Sequence, residues 1–169
     1  MGPEDLVRKF NSKFPEIEAN VQDSTHVEFT VPKGKIRDLV NLVDETFPMV
    51  LPETVFGVDL GDDKYQINYM FWSRDSRLIT QLRVNLDGPT PSVDSVSDIF
   101  PAFEWHERET HEMFGIMFNG HPDLRPLLLP DELVGQYPLR KSFQTDRSRE
   151  DESGLVVKKP RPDAGGGSE

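Results

Sequence analysis

Side chains able to bind a metal or move a proton are concentrated in one short stretch, and they are His106, Glu107, Glu109, His111 and Glu112. A zinc-binding helix places two histidines at i and i+4, about 40° apart around its axis. His106 and His111 lie at i and i+5, so on a helix they face directions about 140° apart. The spacing argues against a metal site, and we predict no metal-binding residue.

Other catalytic chemistry finds little support in the sequence. The chain has no cysteine, which excludes a cysteine-ligated iron–sulfur cluster, a disulfide and a thiol nucleophile. It has no G-x-S-x-G elbow and no glycine-rich phosphate loop. We therefore predict no catalytic residue and no cofactor-binding residue in this chain.

The charges of the same stretch suggest two different surfaces. Glu104, Arg108 and Glu112 are spaced i, i+4 and i+8, which is typical of an exposed ladder of ion pairs. Glu109 shares a predicted apolar face with Trp105 and Met113. A buried carboxylate is costly unless it is paired. We therefore expect Glu109 to meet an arginine, and Arg125, Arg140 or a partner's residue are the candidates.

Hydrophobic periodicity predicts the elements that hold this stretch in place. Helices are expected over 3–14, 35–47 and 101–114, the last ending at a left-handed Gly115. Strands are expected over 27–31, 54–60, 64–72 and 77–86, with weaker alternation over 17–21. Residues 92–98 are expected to be a polar link. The predicted fold is α+β: a two-layer domain with a mixed sheet of about five strands covered by helices, followed by an extended Pro-rich segment.

Three regions follow from these expectations. Residues 1–88 would form the α+β domain, 89–145 the helix and an extended partner-binding segment, and 146–169 a flexible tail. The chain from His121 onward holds six of the 14 prolines and has no helical or strand period. A long aperiodic segment needs a surface to lie on, and we expect that surface to belong to a partner.

Bulk composition narrows the class of partner. The formal net charge of −11 disfavours nucleic acid, whose phosphates an acidic surface repels. No run approaches the roughly 20 apolar residues of a membrane span, and Met1–Phe10 lacks the pattern of a secretory signal. We expect a soluble protein that reaches a membrane only through other subunits.

The stretch from Glu107 to Arg125 resembles a family signature: Glu-Arg-Glu, two variable residues, an acid, two apolar residues, six variable residues, a His, three variable residues and an Arg. It is similar to the thirty-kilodalton subunit of respiratory complex I, also called its C subunit, and to its relatives in membrane-bound group 4 nickel–iron hydrogenases. Tyr137–Lys141 resembles the family's Pro-Leu-Arg-Lys/Arg element. The signature residues, expected to lie at a partner interface, are Glu107, Arg108, Glu109, Glu112, His121, Arg125, Arg140 and Lys141.

The resemblance implies a peripheral scaffold subunit with no cofactor of its own. Its partners would be a large hydrogenase-like catalytic subunit and an iron–sulfur subunit, which carry iron–sulfur clusters and, in one branch, nickel–iron. The complex would lie on the cytoplasmic side of the cell membrane. Leu127–Asp131 and the short chain favour the hydrogenase branch. A quinone-reducing complex I and a stand-alone protein-binding module are the alternatives.

Overall fold

A computed structural model describes residues 1–144 of the chain, and the predicted tail over 146–169 lies outside this range. The predicted α+β fold with a five-stranded mixed sheet is confirmed. The helices and strands are α1 (Pro3–Lys13), β1 (Glu18–Val21), β2 (His26–Val31), α2 (Ile36–Thr46), β3 (Val50–Gly61), β4 (Lys64–Ser73), β5 (Leu78–Asp87), β6 (Ser92–Asp94), α3 (Phe103–Phe114) and β7 (Met117–Asn119).

The main sheet has the strand order β1-β2-β5-β4-β3. Neighbouring strands are antiparallel except β2 and β5, which run parallel. The parallel pair arises because the chain leaves β2, passes through α2, and returns through β3 and β4 before β5 lies down beside β2. Strands β1 and β3 form the two edges of this sheet, and the free side of β3 is the one that α3 uses.

One face of the sheet carries the hydrophobic core. Register places Phe29, Leu82, Tyr69 and Val55 in one row across four strands, and all four are buried. Phe10 of α1 stacks on Phe29 with ring centroids 4.7 Å apart. Aromatic and branched side chains at alternate positions fit a pleated, half-buried surface, so the period-2 pattern of the sequence determines this face.

Helix α2 adds an apolar stripe to the same core, with Ile36, Leu39, Val40, Leu42 and Val43 buried. Their 3- and 4-residue spacing gives the amphipathic face expected of a helix lying on a sheet. The helices within residues 1–144 are all too short or too polar to cross a lipid bilayer.

The segment over 92–98 differs from its prediction as a polar link. Ser92–Asp94 is a strand that pairs in parallel with β7, and Val93, Ser95, Val96 and Ser97 are buried. The valines were the sequence signal for burial, but the intervening serines and aspartates masked it. Serines can lie inside here because a buried carboxylate accepts a hydrogen bond from one of them.

The hydrophobic core continues past the predicted boundary at residue 88. Phe103 packs edge-on against Tyr69 and Phe71 of the sheet, with ring centroids 5.7 and 5.2 Å apart. Phe114, Ile116 and Phe118 belong to the same buried cluster. Apolar residues between 93 and 118 therefore share the core of the sheet domain, and the division of the chain after residue 88 stays a prediction.

Candidate functional site

Helix α3 lies against the free side of edge strand β3, and it positions most of the signature residues. Its end is as predicted: Gly115 adopts φ = 70° and donates its N–H to the His111 carbonyl at 2.8 Å. At Gly57 of β3 an added Cβ would lie 2.7 Å from the Phe114 ring, so this glycine allows the helix to approach. The face of α3 toward the sheet buries Phe103, Glu107, Thr110 and Phe114.

Glu107 is fully buried, with 0% of its surface exposed. Its Oε1 accepts hydrogen bonds from the Val96 N–H at 3.0 Å and the Tyr69 hydroxyl at 3.2 Å. Its Oε2 accepts from the Ser95 hydroxyl at 2.5 Å. The carboxylate thus fastens α3 to β4 and to the loop after β6. A buried carboxylate persists only with such partners.

Burial raises the pKa of Glu107 above its ordinary value, and the hydrogen bonds from Ser95 and Val96 oppose that rise. Burial also raises the pKa of the Tyr69 hydroxyl well above its ordinary value, and the nearby Glu107 carboxylate adds to the effect. The hydroxyl is therefore a fixed hydrogen-bond donor. Three donors from the protein's own fold therefore fix the position of the Glu107 carboxylate.

Glu112 is the second buried carboxylate of α3, at 6% exposed. It accepts three consecutive backbone N–H groups, from Leu127 at 3.2 Å, Leu128 at 2.9 Å and Leu129 at 2.8 Å. The predicted exposed ion-pair ladder through Glu112 is wrong. The i+4 spacing from Arg108 is real, but the returning chain offers Glu112 three amide donors, and these satisfy the carboxylate instead.

Arg108 also binds the returning chain rather than its helix neighbours. Its Nε and Nη2 donate to the Arg125 carbonyl at 3.1 and 3.0 Å, and Nη2 donates to the Pro126 carbonyl at 3.1 Å. The planar guanidinium suits two adjacent carbonyl groups. Arg108 and Glu112 therefore hold successive residues of the same segment, one through its carbonyls and the other through its amides.

His121 starts this segment at the other end of α3. Its Nδ1 accepts the Asp123 N–H at 3.0 Å, so its Nε2 carries the proton and donates to the Glu104 carbonyl, also at 3.0 Å. These contacts give the two ring nitrogens opposite roles, Nδ1 as acceptor and Nε2 as donor. The family histidine thus turns the chain back along the helix.

Arg125 points away from the helix, with a side chain 83% exposed. It pairs with Asp123 through Nε at 2.8 Å and Nη2 at 2.7 Å. The guanidinium of Arg125 holds the pKa of the Asp123 carboxyl well below its ordinary range. The contact rigidifies the turn locally and leaves most of the guanidinium in water.

Arg140 and Lys141 close the segment against the end of α3. Arg140 donates from Nε to the Phe114 carbonyl at 2.6 Å, and its guanidinium lies over the rings of Tyr65 and Tyr137 at 5.0 and 4.5 Å. The Lys141 N–H donates to Asp59 Oδ2 at 2.8 Å. Orphan carbonyls at a helix C-terminus are favourable sites for cations, so Arg140 acts as a side-chain cap.

Glu109 is not paired with Arg125 or Arg140, so that part of its prediction is wrong. Most of the predicted apolar face is exposed in the fold. Trp105 is 64% exposed and Glu109 is exposed beside it, whereas Met113 is half-buried against the core. The buried face of the helix is the one with Glu107. Helix periodicity could not identify it, because the inward carboxylates made the buried face look polar.

The two histidines of α3 hydrogen-bond to different parts of the fold. His106 Nδ1 accepts the Val55 N–H at 3.0 Å, which satisfies a backbone group on the open edge of β3. His111 Nδ1 bonds the Ile116 carbonyl at 2.9 Å, beyond the helix end. A group of ligands suited to a metal ion is not found within residues 1–144.

Five of the signature residues form side-chain hydrogen bonds with other parts of their own chain: Glu107, Arg108, Glu112, His121 and Arg140. The other three, Glu109, Arg125 and Lys141, lie on the surface. Residues 121–141 bind their own domain through α3, so the prediction that they do not is wrong, whereas their packing on a partner stays a prediction. Sequence reasoning missed the residues that complete the contacts, which are Asp59, Tyr65, Tyr69, Ser95 and Tyr137. Only Tyr137, beside the Pro-Leu-Arg-Lys element, carried a signal.

Comparison with known proteins identifies the family. The family model for the 30 Kd subunit of respiratory-chain NADH dehydrogenase matches residues 29–149. The chain therefore belongs to this family, and the resemblance noted in its signature is confirmed. The matched range takes in the sheet from β2 onward, α3 and the segment that returns along it.

Named relatives come from more than one kind of complex. The F(420)H(2) dehydrogenase C subunit of Methanosarcina mazei is 31% identical over 142 residues, covering 82% of this chain and 90% of the relative. The NADH-quinone oxidoreductase C subunit of Bartonella tribocorum is 36% identical over 125 residues, 73% of this chain but 51% of the relative. The chain thus spans nearly all of the first relative and about half of the second.

A solved structure gives a similar result. A chain in the structure of the membrane-bound sulfane sulfur reductase, an archaeal respiratory membrane complex, matches with a TM-score of 0.76 and 29% identity. The match covers 83% of this chain and 85% of that one. The fold is therefore shared, over most of both chains, with a subunit of a respiratory complex.

Proposed function

We propose that this chain is a non-catalytic, peripheral subunit of a complex I-like electron-transfer complex at a membrane. The proposal rests on one observation, which is that signature residues form hydrogen bonds within their own chain. Glu107, Glu112 and Arg108 bind backbone and core groups of their own chain, so they are committed to holding a shape. The shape they hold is α3 with a returning segment laid along it.

The proposed partners are a large hydrogenase-like catalytic subunit and an iron–sulfur subunit, with the complex on the cytoplasmic side of the membrane. Electron carriers would reside in those partners, because this chain has no cysteine to ligate a cluster. The match over most of the F(420)H(2) dehydrogenase C subunit and of the sulfane sulfur reductase chain supports a place in a complex of this kind.

Within that class we retain the nickel–iron hydrogenase branch as the first proposal. A quinone-reducing complex is the second, favoured by relatives named as C subunits of NADH-quinone oxidoreductase. The two would differ in whether the large subunit carries a nickel–iron site. A stand-alone binding module is the alternative from another class.

The test is to tag the full-length chain in its own cells, extract membranes in mild detergent and identify the coeluting subunits by mass spectrometry. Subunits with cysteine-ligated clusters should coelute, and metal analysis of the large subunit assigns the branch. Nickel in the large subunit supports the hydrogenase branch, whereas a large subunit without nickel supports the other. Elution of the chain alone, as a stable monomer, would favour the stand-alone module and contradict the proposal.

A further inference from the structure

The outer side of α3 and the segment that returns along it carry exposed apolar side chains in an otherwise acidic protein. We call the group formed by Trp105, Glu109, Leu128 and Leu139 the Trp105 surface. Trp105, Leu128 and Leu139 are 64, 60 and 56% exposed. Tryptophan is among the residues most enriched at the energetic centres of interfaces, and here it is the most exposed large apolar side chain of residues 1–144.

Hydrogen bonds place the two leucines on either side of this helix face. Glu112, which holds the Leu128 N–H, lies seven residues after Trp105 and therefore about 20° from it around the helix. The Leu139 N–H donates to the Met113 carbonyl at 3.2 Å, on the opposite flank of Glu109. The returning segment thus borders the exposed stripe of α3 without covering it.

Glu109 supplies the charge of this surface. Within residues 1–144 it makes no ion pair. The arginines that sequence reasoning offered to it are engaged elsewhere: Arg125 pairs with Asp123 and Arg140 caps Phe114. The net charge of −11 adds a general attraction for a basic partner.

We propose that the Trp105 surface docks an arginine-bearing segment of a partner subunit, with the guanidinium against the Trp105 ring and paired with Glu109. Trp105 and Glu109 are neighbours at i and i+4, so a ring and a carboxylate are presented side by side. Arginine fits both, because its planar group stacks on aromatic faces and binds carboxylates through two N–H groups. Leu128 and Leu139, which are held about 10 Å further along α3, would extend the apolar contact toward the C-terminal end of the helix. The inference rests on the proposed function for the existence of that partner.

The experiment uses the tagged full-length chain in its own complex, comparing wild type with Glu109→Gln and Trp105→Ala. Glu16→Gln is the matched control, since Glu16 is also exposed and lies in the turn after α1. In a salt-wash series, the amount of partner subunit retained by each test variant should be about tenfold lower than for wild type. This is the loss expected when one central interface side chain is removed. The control should match wild type. Retention by wild type should fall with salt, and that dependence should be weaker in Glu109→Gln.

Carbodiimide cross-linking tests whether the partner's cation is an arginine or a lysine, because the reagent joins carboxylates to lysine amines and not to guanidinium groups. Where Glu109→Gln weakens retention, failure to cross-link Glu109 to a partner supports arginine, and a Glu109–lysine cross-link overturns it. Circular dichroism of each variant checks that the fold is kept. If partners coelute equally with wild type and both variants, the inference fails and the proposed function stands. If nothing coelutes with wild type, both fail.

Discussion

Helices α2 and α3 are nearly equal in length, at 11 and 12 residues, but they use different chemistry to hold their places. α2 packs near β5 with five buried aliphatic residues. α3 packs beside β3 and buries two carboxylates among its five buried residues. Apolar burial is non-directional, whereas each carboxylate fixes the position of particular donors.

The contrast between aliphatic burial in α2 and buried carboxylates in α3 explains which parts of the chain each helix holds in position. α2 contributes area to a core that the sheet already defines. α3 determines the course of backbone without regular structure: Glu107 holds the loop at Val96, and Glu112 holds residues 127–129. We infer that α2 contributes chiefly to overall stability, and that α3 gives shape to the surface a partner would meet.

The largest expected effect comes from a change in α2. Leu39 is 0% exposed, and Leu39→Ala removes its packing and leaves a cavity. The free energy of unfolding should fall by about 2–5 kcal/mol, measured by urea denaturation of the full-length chain. Amide exchange at Leu127–Leu129 should stay protected under native conditions. A loss below about 1 kcal/mol would mean that α2 adds little to the core.

Glu112→Ala tests the role of α3 in positioning the returning segment. It removes the acceptor of three backbone N–H groups and leaves part-buried donors unsatisfied, which costs about 2–4 kcal/mol for a charged acceptor. Hydrogen exchange should accelerate at residues 127–129 while the sheet stays protected.

Glu104→Ala is the control for this change, because Glu104 lies about two turns earlier on α3 and offers only its backbone carbonyl to His121. It should alter stability by no more than about 0.5 kcal/mol. Equal exchange rates in the two variants would contradict the role given to Glu112.

The corner after α3 allows a matched glycine comparison. Gly115 and Gly120 both have positive φ, at 70° and 83°. A Cβ at Gly115 would lie 2.7 Å from both Arg140 Nη2 and the Tyr137 ring, whereas nothing lies within 4 Å of one at Gly120. Each Gly→Ala change costs about 1–2 kcal/mol of backbone strain, and overpacking should add about 1–3 kcal/mol at Gly115 alone. If the two variants lose the same free energy of unfolding in urea, Arg140 and Tyr137 move aside without cost and the expected overpacking at Gly115 is absent.

Much of the fold could be predicted because it depends on alternation and periodicity. The strands over 54–60, 64–72 and 77–86 coincide closely with the observed β3, β4 and β5, since each places apolar residues at every second position. The left-handed Gly115 followed from the end of an apolar helix pattern. The signature residues were found through their resemblance to a family pattern of fixed spacing.

The orientation of α3 could not be predicted for a physical reason. Periodicity assumes that buried faces are apolar, and it therefore selected the face with Trp105 over the face with Glu107. Glu107 is buried only because Tyr69, Ser95 and the Val96 N–H converge on it, from two separate parts of the sequence. Contacts of that range are set by the assembled fold. The same holds for Glu112, whose donors lie 15 to 17 residues away.

The smallest effect at neutral pH is expected for Glu107→Gln, and its pH dependence is the sharper measurement. The Gln carbonyl can replace Oε1 as acceptor for Val96 and Tyr69, and its amide can donate to the Ser95 oxygen. Ser95 can then donate its own hydroxyl to Ser97, whose Oγ lies 2.8 Å away. Stability at neutral pH should therefore change by no more than about 1 kcal/mol, whereas Glu107→Ala should lose several times more.

The pKa of Glu107 is raised in the folded chain, so the folded state keeps this proton to a higher pH than the unfolded state does. The stabilisation from that proton is complete below the ordinary pKa of 4.5 and is lost as pH rises through the folded pKa. Asp98 and Asp123 have lowered pKa values and act in the opposite direction, so the dependence of wild-type stability on pH is ambiguous by itself.

Subtracting the stability of Glu107→Gln from that of wild type removes the contribution of these two aspartates. The difference should decrease as pH rises from about 4 and level off above the folded pKa. A difference that increases over this interval would show that the hydrogen bonds to Glu107 outweigh its burial.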